Sequence, residues 1–176
     1  MSVISGKLST LLKDSQGEEY IEGQTITEVM EIGLFEPIGV IRVMDSLCGA
    51  LCVLHSKSII HRDIKPENVM VDKAGTVKLI DFNAARIFKP HQSEDTRFMG
   101  TLGYVAPEQF LMKQTDERAD IYALGILMNV MLTGKYPSKR LYKGRLTKVI
   151  QKCTRQDPDK RYKNIVDLWD SVLAAQ

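Results

Sequence analysis

The chain has 176 residues, with 24 Lys and Arg against 22 Asp and Glu, for a formal charge of +2. That length suits one domain, and 44% hydrophobic with 26% charged residues is the make-up of an ordinary globular protein, which excludes extended disorder. The near-balanced charge supplies no concentrated basic face, so no nucleic-acid partner is expected.

In chain order, residues 1–17 form an unassigned lead. They lack the alternation of a strand and are expected to be poorly ordered. The lead has neither a basic n-region nor a long apolar h-region, so no secretory signal is visible. Across residues 36–56, Ile41, Met44, Cys48, Leu51 and Cys52 recur at helical spacing, which predicts a long amphipathic helix. Pro37 suits its first turn, where a missing N–H costs little. Cys48 and Cys52 read as core cysteines, and His55 reads as a packing residue rather than a ligand. Ser58-Ile59-Ile60 is a very short apolar run, followed by the polar segment 61–68. Val69-Met70-Val71 and Val77-Lys78-Leu79-Ile80 are two β-type runs joined by a loop containing Gly75, which predicts a hairpin. Residues 83–118 are loop-like. Helical pattern dominates from Glu117 onward. The longest apolar run, 121–128, falls well short of the ~20 residues a bilayer span requires. It reads as a buried core helix, and no membrane segment is expected. Leu146, Val149, Ile150 and Cys153 share one helical face, as do Ile165, Leu168, Trp169, Val172 and Leu173. Met112, Met128 and Met131 read as core filler. Three cysteines, an odd number, argue against a disulfide framework and for a reducing, cytoplasmic compartment. The expected fold class is mainly α with a small β-hairpin (α+β).

The hairpin has a geometric consequence. If its strands pair antiparallel, Asn68, before the first strand, and Asp81, after the second, meet at one end of the ribbon. An amide oxygen and a carboxylate converging there make a hard-oxygen site suited to Mg²⁺, which takes few protein ligands and completes its shell with phosphate oxygens. Asp63 and Lys65, in the loop ending at Asn68, add a base and a cation at the same edge.

The string His61-Arg62-Asp63-Ile64-Lys65-Pro66-Glu67-Asn68, with Asp81-Phe82-Asn83 after the hairpin, resembles the catalytic core of eukaryotic-type serine/threonine protein kinases, in a fragmentary or bacterial-like form. Gly100-Thr101-Leu102-Gly103-Tyr104-Val105-Ala106-Pro107-Glu108 is similar to the end of a kinase activation segment. Asp120, opening Asp-Ile-Tyr-Ala-Leu-Gly, resembles the residue that holds the catalytic loop from behind, and Arg161 resembles the arginine that pairs with Glu108. Glu19-Tyr20-Ile21-Glu22-Gly23 is similar to the hinge. The implied organisation is a kinase C-terminal lobe over 18–176, with a hinge-like segment 19–24, a catalytic loop 61–68, an activation segment 81–108 and a helical remainder 117–173.

The resemblance implies roles. Asp63 would accept the substrate hydroxyl proton and Lys65 would offset charge on the γ-phosphoryl. Asn68 and Asp81 would hold Mg²⁺ or Mn²⁺ against ATP. Glu19 and Ile21 would meet the adenine edge through their backbone, with Met70 beneath the ring. Arg62 would grip a phosphate on the activation segment, with Thr96 as first acceptor and Ser93 as second. His61, Phe82, Glu108, Asp120 and Arg161 would give structural support. Lys65 and the Gly100-Thr101 pair point to a protein substrate with a Ser or Thr acceptor.

Two departures accompany the resemblance. Asn83 stands where the family has glycine, and Asn enters the left-handed backbone region at modest cost, so the metal site is expected to survive. Residues 1–17 contain no glycine-rich loop and no Val-Ala-Ile-Lys-like lysine, so a C-lobe lacking the N-lobe is expected. A lobe without that cover is expected to leave Ile21, Met70 and Phe82 partly exposed, to associate through this surface, and to act weakly or not at all. The alternative is a non-catalytic kinase-derived remnant that binds another protein.

Overall fold

The computed structural model describes residues 21–88 and 99–176. The first described strand and helix, β1 (Gly23–Thr25) and α1 (Ile26–Ile32), have no counterpart in the periodicity reading. They join through a capping box. Thr25 Oγ1 accepts from the Glu28 amide at 3.2 Å, and the Glu28 carboxylate accepts from the Thr25 amide at 2.6 Å. The Thr-x-x-Glu spacing was the sequence signal for this helix start.

The long helix α2 (Pro37–Ser56) begins with Pro37 in its first turn. Its length and apolarity alone would suit a membrane crossing. Instead, Val40, Ile41, Met44, Leu47, Cys48 and Leu51 are buried, and α2 packs against two later helices, α4 (Arg118–Thr133) and α6 (Ile165–Leu173). Trp169 Nε1 donates to Asp45 Oδ1 at 2.7 Å and pins α6 to α2. Helix α4 is buried over nearly its whole surface, as an all-round apolar helix inside a globular domain should be. It ends on Gly134 at φ +65°, whose amide returns to the Val130 carbonyl. Gly125 lets α5 (Thr147–Cys153) approach closely, since a Cβ there would collide with Cys153 Cβ.

The hairpin forms from β3 (Val69–Asp72) and β4 (Val77–Leu79), antiparallel with Val69 opposite Leu79. It is more than a hairpin, because β1 pairs along the other edge of β3 and makes the order β1-β3-β4. A second ladder pairs β2 (Ile59–Ile60) with β5 (Arg86–Ile87). The segment read as loop from 83 to 118 thus contains β5 and the short helix α3 (Pro107–Phe110). Strands of two residues carry too little pattern to be seen without their partner.

Three smaller differences concern burial. Ile21 and Met70 are buried together with Ile80 in a small cluster, and Phe82 is half-buried, so the expected open apolar patch is largely closed by the chain's own contacts. Cys48 is core while Cys52 is half-buried. Met128 and Met131 are fully buried, but Met112 is exposed with φ +54°.

Candidate active site

The two ladders fix the site. Ile60 ends β2 and Arg86 begins β5, so their pairing brings the chain at His61 beside the chain at Ala85. At the other end, the Ile80 amide donates to the Asn68 carbonyl at 2.9 Å and extends the β3–β4 ladder. Residues 61–68 and 80–85 therefore run side by side, and Asn68 and Asp81 flank the same end of the ribbon.

Asp120, in the first turn of α4, anchors this loop from beneath. Its Oδ1 accepts from the Arg62 amide at 2.8 Å; its Oδ2 accepts from the His61 amide at 3.0 Å and bonds His55 Nε2 at 2.9 Å. Burial alone would raise the Asp120 pKa, but His55 and the His61 amide overcome it and hold the carboxyl below the usual range. His55 is thus a polar partner of the loop rather than simple packing, across a separation of 65 residues. The anchored backbone turns sharply, with Arg62 at φ +66°, a left-handed angle that a side chain tolerates only where its surroundings impose it.

His61 is buried, and its Nε2 lies 3.2 Å from the Ile80 carbonyl, so the ring ties the two segments together. Phe82 meets it edge-on at 4.9 Å between centroids. Burial pushes the His61 pKa down, favouring the neutral ring that donates from Nε2. Arg62 Nε donates to the Ala84 carbonyl at 2.8 Å.

The acid and base candidates meet above this platform. Lys65 Nζ lies 3.0 Å from Asp63 Oδ2 and donates to Thr101 Oγ1 at 2.7 Å. Thr101 Oγ1 in turn donates to Asp63 Oδ1 at 2.8 Å. Asn68 Nδ2 donates to Asp63 Oδ2 at 3.0 Å and to the Asp63 carbonyl at 2.8 Å. Both carboxylate oxygens of Asp63 are therefore held, yet the side chain keeps 13% of its surface open. In the sequence Thr101 is part of a motif and a marker of substrate type. Its place against Asp63 depends on a chain reversal that no local pattern reports.

Asp81 sits at φ +61°, and its Oδ1 accepts from the Asn83 amide at 3.1 Å. Asn83 itself is not in the left-handed region, so the Asn-for-Gly departure carries no backbone strain; the unusual angle falls on Asp81. Asn68 spends its amide nitrogen on Asp63, leaving its oxygen as the donor atom for a cation. With the remaining Asp81 oxygen this is a hard-oxygen set. No cluster of three or more His, Cys, Asp or Glu forms among the described residues. Such a pair fits Mg²⁺, which completes its shell with water and phosphate, better than a metal caged entirely by protein.

The platform is clamped on its far side. Gln109 Nε2 donates to the Arg62 carbonyl at 3.1 Å and the Met99 carbonyl at 3.3 Å, drawing the segment that carries Thr101 onto the loop. Glu108 and Arg161 form a bidentate pair at 2.6 and 2.8 Å. The guanidinium also donates to the carbonyls of Arg118, Arg155 and Gln156, so its buried donors are used. Glu19, Thr96 and Ser93 lie outside the described residues. Ile21 and Met70 lie together in the small buried cluster.

Residues 17–174 match the family model described as Protein kinase domain. The chain is 40% identical over 123 residues to a probable serine/threonine-protein kinase PknB of Corynebacterium glutamicum, a match covering 68% of this chain and 19% of that protein. It is 37% identical over 121 residues to serine/threonine-protein kinase PknL of Mycobacterium tuberculosis, covering 68% and 30%. An Aurora kinase of Candida glabrata matches at 33% over 156 residues, covering 89% and 43%. The chain thus spans less than half the length of each of these relatives. A match over nearly its whole length, on motifs that the fold brings to one loop, makes the chain a member of the protein kinase domain family.

Proposed function

We propose that the chain takes part in transfer of the ATP γ-phosphoryl group to a Ser or Thr hydroxyl of a protein. The observation that carries this reading is the joint hold of Lys65, Thr101 and Asn68 on the partly open Asp63 carboxylate. Phosphoryl transfer needs alignment and charge neutralisation more than covalent help. Asp63 orients the acceptor hydroxyl and takes its proton as the new P–O bond forms. Lys65, poised at Asp63, offsets charge on the transferring group. Asn68 and Asp81 supply oxygens for Mg²⁺ or Mn²⁺, which neutralises phosphate charge when bound. Ile21 and Met70, buried together beside the β1-β3-β4 sheet, are the proposed apolar contact for adenine.

In this reading residues 18–176 correspond to the C-terminal lobe of a kinase. No glycine-rich loop or Val-Ala-Ile-Lys-like lysine occurs within the 176 residues, so they supply the acceptor side of the reaction and little of the phosphate side. That feature also favours a second reading, a non-catalytic module that binds another protein. Incubation with radiolabelled ATP and Mg²⁺, followed by phosphoamino-acid analysis, separates the two. Slow incorporation into Ser or Thr that Asp63→Asn abolishes supports the enzyme. Incorporation that Asp63→Asn leaves unchanged overturns it, and rapid incorporation overturns the expectation of weak activity in this chain alone.

A further inference from the structure

Beneath the loop that Asp120 anchors lies a pocket of about 380 Å³. Its walls come from the end of α2, the β2–β5 ladder and the turn that opens α4. That volume falls at the lower end of the ~300–1,000 Å³ of small-molecule sites. Ile59, Ile60 and Phe88 supply its apolar surface. Ile59 and Ile60 are buried, whereas the lining residues Ser58 and Lys163 are exposed, so the strand forms the floor and these two mark the mouth.

The walls are fixed in advance. The Phe88 amide donates to the Ser58 carbonyl at 2.7 Å, and the Ser58 amide donates to the His55 carbonyl at 2.8 Å. Asp116 accepts from the Arg118 amide at 2.9 Å and from its guanidinium at 2.7 Å. Walls already ordered lower the cost of binding.

One buried polar atom in this pocket lacks a partner. The His55 side chain keeps only 4% of its surface exposed. Its Nε2 is held by Asp120 Oδ2, and because a carboxylate can only accept, Nε2 carries the proton. In the neutral ring Nδ1 is then a lone pair, and it has no hydrogen-bond partner among the described residues. A buried acceptor left without a donor is costly, so this atom calls for a donor from outside the chain. Glu117 Oε2 lies 3.7 Å from Nδ1, beyond hydrogen-bond reach but close enough for one donor group to serve both. A hydroxyl has one proton and satisfies one of them, whereas a primary ammonium has three.

Charge agrees with that choice. Asp116 is spent on Arg118, whose guanidinium also donates to Asp159, so Glu117 is the lining carboxylate left for a ligand. Lys163 at the mouth and Lys57 beside Ser58 are exposed, and their flexible stems carry their charge to water.

We propose that this pocket binds a small primary amine with an aromatic or branched aliphatic body, its ammonium bridging His55 Nδ1 and Glu117 and its body packed on Ile59, Ile60 and Phe88. A donor at Nδ1 also fixes the tautomer through which His55 holds Asp120. Binding here does not depend on phosphoryl transfer.

The test titrates the full chain with phenethylamine and follows imidazole ¹⁵N resonances, which are separable because the chain has only three histidines. Saturable binding should move the His55 Nδ1 resonance upfield, as a lone pair that gains a donor does, and should raise the unfolding midpoint with concentration. Two probes of similar shape should bind about tenfold more weakly or worse: phenethyltrimethylammonium, which keeps the charge without a donor, and 3-phenylpropionate, which brings a carboxylate. Glu117→Gln and Phe88→Ala should each weaken phenethylamine about tenfold, and Asp63→Asn should bind it as the parent does. No saturable binding, binding that leaves the His55 resonance in place, or equal or tighter binding of either comparison probe overturns the proposal. So does unchanged affinity in folded Glu117→Gln and Phe88→Ala variants, and the His55 resonance of the parent chain decides the matter if a variant does not fold.

Discussion

Asp120 and Asp63 serve one loop from opposite sides and in opposite surroundings. Asp120 is fully buried and takes hydrogen bonds from two backbone amides and from His55. Asp63 is partly open, and its partners are side-chain groups, those of Lys65, Thr101 and Asn68. A buried charge is tolerable only when fully satisfied, and a satisfied buried charge fixes whatever supplies its donors. Asp120 therefore sets backbone position. An open carboxylate held by side chains can exchange a partner for a substrate at little cost, which is what a catalytic base requires. The same residue type does two jobs because of depth and donor type.

Substitutions can break this contrast. The largest effect is expected at the other buried pair. Arg161→Met strands Glu108 in the interior and should cost about 3–5 kcal/mol of stability, read by urea unfolding. Adding Glu108→Leu to it should recover much of that loss, because the stranded charge is gone. Asp120→Asn, which turns an amide donor toward existing donors, should lose about 1–3 kcal/mol in the same measurement. Asp63→Asn inverts the pattern. It should change stability by less than about 1 kcal/mol while lowering phosphoryl transfer by roughly 10²–10⁴-fold. A stability loss at Asp63 as large as that at Asp120 would erase the distinction between the two carboxylates.

Acid sharpens it further. The folded-state pKa values of both His61 and Asp120 lie below their ordinary values, 6.5 and 3.8. The unfolded chain therefore takes up these protons first. Stability is fully present above each ordinary value and is lost as pH falls through the folded one. Unfolding midpoints should hold above pH 6.5, decline below it through His61 and decline again below 3.8 through Asp120. His61→Phe should remove the first decline.

The smallest effect concerns another case of depth deciding behaviour. Burial pushes the Cys48 thiol up to about 12 and raises Cys153 and, with help from Glu117, Cys52, but Cys52 alone of the three is half-buried rather than buried. A thiol reagent should modify Cys52 slowly in the native chain and all three cysteines after unfolding.

Much of the fold was legible because its signals are local. The spacing of Ile41, Met44, Cys48 and Leu51 sets the face of α2, and the apolar run at 121–128 marks the buried α4. Gly75 between two β-type runs gives the hairpin, and the hairpin alone puts Asn68 and Asp81 at one end. The capping box at Thr25 and Glu28 is equally local, but it opens a seven-residue helix with no long apolar pattern behind it. The β2–β5 ladder was of another kind, two residues on each side with no signal except each other.

The sequence by itself determined the residue types at the site and the elements that present them, since periodicity, turn chemistry and motif spacing act over a few residues. Tertiary structure alone decided which polar groups are buried and what they touch. Thr101 reaches Asp63 across 38 residues, and His55 reaches Asp120 across 65. Accessibility depends on atoms far away along the chain, and it separates a carboxylate that holds the fold from one that is free to act.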